Sequence, residues 1–150
     1  MIISPNHTSF TVSDMERSLA FYRDLLGFEV VSERVSGAEF ASKITGIPGA
    51  ELKVVYVRAG GYFLELIQYL AAEGERIEPR TNRPGSAHLC FNVDDIDKAY
   101  AKLVAHGVKV QHEPVEVGGG PNKGGRAMYF LDPDGFTIEF IQPPAVSGQQ

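Results

Sequence analysis

Four side chains able to bind a metal stand at repeated places along this 150-residue chain: His7, Glu65, His88 and Glu139. His7 opens the run His7-Thr8-Ser9-Phe10-Thr11-Val12-Ser13-Asp14, and His88 opens His88-Leu89-Cys90-Phe91-Asn92-Val93-Asp94-Asp95. His, Phe, Val and Asp recur in register, with a constant offset of 88 − 7 = 81 positions. Downstream, Leu64-Glu65-Leu66-Ile67-Gln68 is answered by Ile138-Glu139-Phe140-Ile141-Gln142, so each half opens with a histidine and closes with a glutamate. Two imidazoles and two carboxylates form an N,O ligand set suited to one divalent ion (Zn, Ni, Co, Mn or Fe), with room for water or substrate oxygens as further ligands. Taken singly, each histidine reads as an ordinary strand residue and each glutamate as the partner of an arginine. Recurrence of all four favours the metal site, because independent structural residues have no reason to repeat in both halves.

These residues need strands to carry them. His7 to Val12 alternates, with His7, Ser9 and Thr11 on one face and Phe10 and Val12 on the apolar other. A helix follows from a Ser13 or Asp14 cap, with Leu19, Tyr22, Leu25 and Leu26 at helical spacing and Gly27 as its end. Phe28 to Val35 reads as a second strand. Ser36 to Ala50 is a long connection with one helical turn around Phe40 to Ile44, and Glu51 to Arg58 pairs with Tyr62 to Tyr69 through a Gly60-Gly61 turn. After a linker at 71–84, rich in charge, Gly and Pro, the plan repeats. Strand Ala87 to Val93 leads to a helix from about Asp95 to His106, ended by Gly107. Strand Val108 to Val117 comes next, then a glycine-rich loop Gly118 to Gly125. The closing hairpin joins 127–131 to 136–141 through Asp132-Pro133-Asp134-Gly135, where Pro presets φ and Gly supplies a positive φ. Pro143 to Gln150 reads as a loose tail. The expected architecture is α+β, one domain over 1–150 made of two βαβββ modules, 4–70 and 85–143, that form an incomplete barrel.

On the closing strands Phe63, Glu65, Ile67 and Tyr69 share one face, as do Thr137, Glu139 and Ile141. A carboxylate among such apolar neighbours needs a compensating partner. Phe63 and Asn92 are candidate substrate contacts beside it, and Lys123 and Arg126 are candidates for an anionic part of the substrate. Cys90 reads as a small buried strand residue rather than a nucleophile, with no cation or helix N-terminus aimed at it. Tyr56, Tyr69 and Tyr129 read as core or pocket wall.

The composition is that of a globular domain, with 43% hydrophobic and 22% charged residues. A net charge of −5 argues against general nucleic-acid binding, which needs clustered Lys and Arg. Cys90 is the single cysteine, so no intrachain disulfide forms. Neither a signal peptide nor a membrane span is read in the chain, and a cytoplasmic protein is expected.

Several segments carry a family resemblance: His7-Thr8, Arg17 to Phe28, Phe63-Leu64-Glu65-Leu66, Ala87-His88-Leu89, Val93-Asp94-Asp95, Asp132 to Gly135 and Ile138-Glu139-Phe140. The chain resembles the vicinal oxygen chelate superfamily of glyoxalases, bleomycin resistance proteins and extradiol dioxygenases from about Ser4 to Pro143. Its quartet looks most like the glyoxalase I and methylmalonyl-CoA epimerase branch. The resemblance implies a metal-dependent lyase or isomerase with His7, Glu65, His88 and Glu139 as ligands. Glu65 or Glu139 would take a proton from a carbon next to metal-bound oxygens, by way of an enediolate. It also implies a small-molecule substrate with vicinal oxygens and a homodimer completing the wall of the site. Glyoxalase I enzymes resembling this chain carry arginine and asparagine for glutathione where Thr11 and Tyr69 stand, while Lys123-Gly124-Gly125 resembles their lysine-glycine loop. An Fe(II)-dependent extradiol-type dioxygenase and a drug-sequestering resistance protein without turnover are the alternative readings.

Overall fold

A computed structural model describes residues 1–145, and the chain divides into two compact units, Met1–Ile77 and Glu78–Gln150. The expected tail at Pro143 to Gln150 falls partly on residues 146–150, outside the described residues.

In the first unit, β1 (Thr8–Thr11) leads to α1 (Met15–Leu19). Asp14 caps this helix by accepting the Arg17 backbone N–H at 3.1 Å, which satisfies one of the orphan donors of its first turn. The helix runs on as a wider, π-type turn over Ala20–Leu25, where the Leu26 N–H reaches back five residues to the Phe21 carbonyl at 3.0 Å. Then come β2 (Glu29–Ser36), α2 (Ala38–Thr45), β3 (Glu51–Ala59) and β4 (Tyr62–Ala71). The sheet order is β1-β4-β3-β2, with β1 parallel to β4 and the other pairings antiparallel. Phe10, Val12, Met15, Tyr22, Val55, Leu64 and Leu66 are buried and form the bulk of this unit's core.

The second unit repeats the order as β5 (His88–Asn92), α3 (Ile96–Ala105), β6 (Val115–Glu116), β7 (Arg126–Leu131) and β8 (Thr137–Gln142). Its sheet runs β5-β8-β7-β6, again with the first strand parallel to the last. Ile96, Leu103, Phe130 and Ile138 are fully buried here. The closing turn forms as expected: one Asp132 carboxylate oxygen accepts the N–H groups of Asp134 (2.9 Å) and Phe136 (2.8 Å), and Gly135 takes φ +94°.

One repeated device ties sheet to helix in both units. The Gln68 side-chain oxygen accepts the Met15 N–H at 3.0 Å, and the Gln142 oxygen accepts the Ile96 N–H at 2.9 Å. The closing strand thus fixes the first turn of the helix on one face while its glutamate, three residues earlier, points to the other.

Two expectations about extent change. The single turn at Phe40 to Ile44 becomes the eight-residue α2, which buries Ala41 against Leu52 and Val54 and ends at Gly46 in the left-handed region (φ +72°). The strand expected over Val108 to Val117 contracts to Val115–Glu116 plus one bridge between Val110 and Phe130. Pro114 lacks an N–H to extend the ladder, and the preceding chain turns aside at His112, whose Nδ1 meets the Glu113 carbonyl at 2.9 Å.

Candidate functional site

In the first unit the parallel register sets Glu65 beside Ser9 on β1, and the antiparallel register sets it beside Tyr56 on β3. His7, just ahead of β1, brings Nε2 to 3.3 Å from Glu65 Oε2. The imidazole stands edge-on to the Tyr56 ring, with centroids 5.3 Å apart. Glu65 is only 8% exposed, so its charge needs the partners that surround it. Burial, together with the neighbouring Glu65 carboxylate, pushes the Tyr56 phenol up to about 12, so it stays neutral near neutral pH.

The second unit builds the same cluster from the same strands. Glu139 lies between Cys90 on β5 and Tyr129 on β7, and His88 Nε2 is 3.0 Å from Glu139 Oε2. The His88 and Tyr129 rings lie 5.2 Å apart. Cys90 is exposed on β5, not the buried residue expected, because it lies on the sheet face away from the helix. Partial desolvation and the adjacent Glu139 carboxylate push its thiol up to about 12, so it is a thiol rather than a thiolate at neutral pH.

Residues 4–140 match the Glyoxalase/Bleomycin resistance protein/Dioxygenase superfamily. The chain belongs to this superfamily. The 2-epi-5-epi-valiolone epimerase of Actinomyces sp is 31% identical to it over 148 residues, 95% of this chain and 81% of that protein. The mitochondrial methylmalonyl-CoA epimerase of Homo sapiens is 27% identical, over 91% of this chain and 72% of that protein. A glyoxalase family protein from Bacillus cereus superposes with a TM-score of 0.84 at 19% identity, covering 97% of each chain, which shows the glyoxalase-like α+β fold. The fosfomycin resistance protein FosX of Listeria monocytogenes, solved with Mn(II) and 1S,2S-dihydroxypropylphosphonic acid, superposes with a TM-score of 0.67 at 20% identity over 97% of this chain and 94% of that one.

As in the FosX complex, members of this superfamily bind divalent metals. In this chain each imidazole and carboxylate have the donor chemistry for such an ion. Two ligand atoms that each lie about 2.1 Å from one ion are about 3.0 Å apart on an octahedral edge and about 3.4 Å on a tetrahedral one. The observed pairs, at 3.3 and 3.0 Å, fall in that range. Asn6 is placed to fix the ring for it: His7 Nδ1 faces the Asn6 side-chain oxygen at 2.7 Å, an acceptor that favours the proton on Nδ1 when Nε2 is used as a ligand. Among the described residues no group of three or more His, Cys, Asp and Glu side chains stands at metal-holding distance, and each unit by itself supplies two ligands.

The expected substrate contacts divide by face. Phe63 is two residues before Glu65 and Asn92 two after Cys90, so each lies on the face of its sheet that bears the glutamate. Lys123 is exposed in the loop between β6 and β7 and forms no ion pair among the described residues. Arg126 does not join Glu139: it pairs with Gln142 across β7 and β8, on the helix-bearing face, where its guanidinium meets Asp97 of α3 at 2.5 Å. Alternation along β7 puts Tyr129 on the Glu139 side and Arg126 on the other. No helix of the described chain is long and apolar enough to cross a membrane.

The tyrosines beside the glutamates were hidden in the sequence. Tyr56 precedes Glu65 by nine positions and Tyr129 precedes Glu139 by ten, so no single offset marks them. Counting each strand outward from its hairpin turn is the signal that pairs them.

Proposed function

We propose that this superfamily member is a lyase or isomerase of the glyoxalase I or epimerase type, which removes a proton from a carbon adjacent to two oxygens of a small substrate. The observation that carries the reading is the recurrence of one paired imidazole and carboxylate at the same strand positions in both units. The assignment of His7, Glu65, His88 and Glu139 to one divalent ion rests on that duplication. When bound, the ion would act as a Lewis acid toward the substrate oxygens and disperse the charge that develops as the proton leaves. The chain's own residues do the rest. Glu139 and Glu65 are carboxylates held by neighbouring side chains and shielded from water, the setting in which a carboxylate works as a general base and returns the proton. Phe63 and Asn92 line the same faces, and Lys123 is a cation free to meet an anionic part of the substrate. Support also comes from the relatives: two that this chain matches over at least 91% of its length are named as epimerases.

The test is elemental analysis of the purified protein, then a metal-exchange screen with α-hydroxy-ketone, hemithioacetal and acyl-CoA substrates in deuterated water. Deuterium entering at carbon, lost on chelation and restored by a divalent ion without oxygen uptake, is the expected result. Glu65→Gln and His88→Ala should each lower metal content and keep the fold. Oxygen consumption that tracks added Fe(II) would overturn the reading in favour of a dioxygenase, and tight binding with no exchange in favour of sequestration.

The reading includes a homodimer. Sedimentation at micromolar concentration should then give a species of about twice the 16.4 kDa chain mass. A species of single-chain mass throughout that range would remove a partner chain from the site.

A further inference from the structure

The first unit carries on its Glu65 face an element that the second lacks. Between β2 and β3, α2 buries Ala41 against Leu52 and Val54, with Tyr56 and Ile67 packed at the margin of that cluster. Among the described residues no helix stands between β6 and β7. Beside α2, Arg34 on β2 lies opposite Val54, one row along the sheet from Ser32, Tyr56 and Glu65. Side chains two positions apart share a face, so Arg34 belongs to the face that bears Glu65. A direct contact agrees with that placement: the Arg34 guanidinium carbon lies 5.8 Å from the centroid of the Phe40 ring of α2, within cation–π range. The Tyr56 phenol senses the same charge, since burial and the Glu65 carboxylate raise it and Arg34 acts to lower it. Other cations of these strands are already committed. Lys53 meets Glu16 and Glu33 at 3.1 Å each, and Arg58 meets Glu29 at 2.5 Å. Arg34 is exposed and makes no ion pair among the described residues. The repeat offers no counterpart: counted from the glycines that follow the two helices, 34 − 27 = 7 and 114 − 107 = 7, so Pro114 stands in its place.

Building on the reading above, we propose that Arg34, seated against Phe40, is a specificity-determining residue that binds a carboxylate or phosphate group of the substrate, at the end remote from the reacting carbon. Two strand spacings across and two residues along the sheet set the Arg34 and Glu65 backbones roughly 12 Å apart. The long arginine side chain covers part of that span, so the anion it meets lies several bonds from the carbon at which Glu65 acts. A guanidinium presents paired N–H donors that match two oxygens of one carboxylate or phosphate, which a lysine ammonium does not reproduce. Contact with the Phe40 ring lowers the entropy that so long a side chain would otherwise lose on binding. Ser32, exposed two positions earlier on the same face, adds a hydroxyl beside it. The chain carries a net charge of −5, so an uncommitted cation on the site face selects for an anionic substrate that most of the surface repels.

The first test does not depend on turnover. In the full-length protein the arginine Nε–Cζ NMR signals, with that of Arg34 assigned by its loss in Arg34→Lys, are followed as sodium phosphate or sodium acetate is added against sodium chloride of equal ionic strength. The Arg34 signal should shift saturably with phosphate, acetate or both, which also tells the preferred oxyanion, while Arg58, held by Glu29, stays in place. Phe40→Leu should weaken that binding by about 2- to 5-fold. No saturation at Arg34 with either anion, or the same drift at every arginine, overturns the proposal. The second test uses any candidate substrate that shows metal-dependent deuterium entry. Arg34→Gln should raise KM for an anionic substrate by roughly 10- to 100-fold with kcat little changed, the mark of lost ground-state binding. Arg34→Lys should recover part of that loss. An uncharged ester of the same substrate should be handled alike by the parent and Arg34→Gln, whereas a purely structural role would penalise both substrates. Equal KM values for parent and Arg34→Gln on the anionic substrate, or equal penalties on acid and ester, overturn the assignment. If no candidate exchanges deuterium, the function proposed above falls while the anion titration still decides Arg34.

Discussion

Glu139→Gln is expected to slow deuterium entry at the substrate carbon by on the order of 10²- to 10⁴-fold, the range typical for loss of a positioned general base. The substitution keeps the side chain's shape and one acceptor oxygen, so the strand register beside Cys90 remains available to it. What it removes is the charge and the ability to take a proton. Glu139 is well placed for that role, with its side chain 14% exposed and an imidazole 3.0 Å away. Substrate binding should change far less than exchange, because the amide still fills the same space. Exchange at the parent rate in this variant would remove Glu139 as the base, and equal losses of binding and exchange would recast it as a substrate or metal contact only.

Phe130→Ala should produce the largest loss of stability in the second unit, about 3–5 kcal/mol. Phe130 is fully buried, and its ring meets Phe140 edge-on at 4.7 Å. Truncation removes apolar area from the core and leaves a cavity that the surrounding β7 and β8 backbones are too constrained to fill. The urea midpoint should fall with little change in the slope of the transition, the mark of a native-state loss. A destabilisation below about 1 kcal/mol would show that the site collapses around the missing ring. Phe130 follows Tyr129 directly, so this variant also asks whether the Glu139 side of β7 keeps its geometry when the helix side is loosened.

The repeated features were legible in the sequence because each is local. A histidine at a strand's start, a cap such as Asp14, a turn such as Asp132 to Gly135, and a glutamate within an echoed pentapeptide depend on residues a few positions away. Features set by pairing between strands were not legible. Arg126 stands near the glycine loop in sequence, yet its side depends on the β7–β8 register, which turns it toward Asp97. Tyr56 and Tyr129 become neighbours of the glutamates only once the hairpins are in register. The length of α2 escaped for a different reason: Ala41 is held at a contact with Leu52 and Val54 that lies outside its own periodicity. The short β6 follows from Pro114, which lacks the N–H that a longer ladder with β7 would need.

Each sheet lays its first strand parallel to its last, and that topology orders the steps by which the chain folds. The β3–β4 hairpin closes between Ala59 and Tyr62, whereas Ser9 must find Glu65 across 65 − 9 = 56 positions. Loop-closure entropy rises as about (3/2)RT ln n, so the longer closure costs about 2–3 kcal/mol more than the hairpin. The hairpin, with Glu65 and Tyr56 already side by side, can therefore zip early, and β1 docks on a finished edge afterwards. On this argument the histidine is expected to join last, and to be released first on local opening. Local opening of β1, which breaks the Val12 to Ile67 hydrogen bond, dismantles the imidazole half of the pair while Val55 and Leu66 stay buried in the core. The imidazole of each pair thus stands at an edge strand that closes its sheet over a long stretch of chain, and the repeated topology gives the chain two such seams, one per unit.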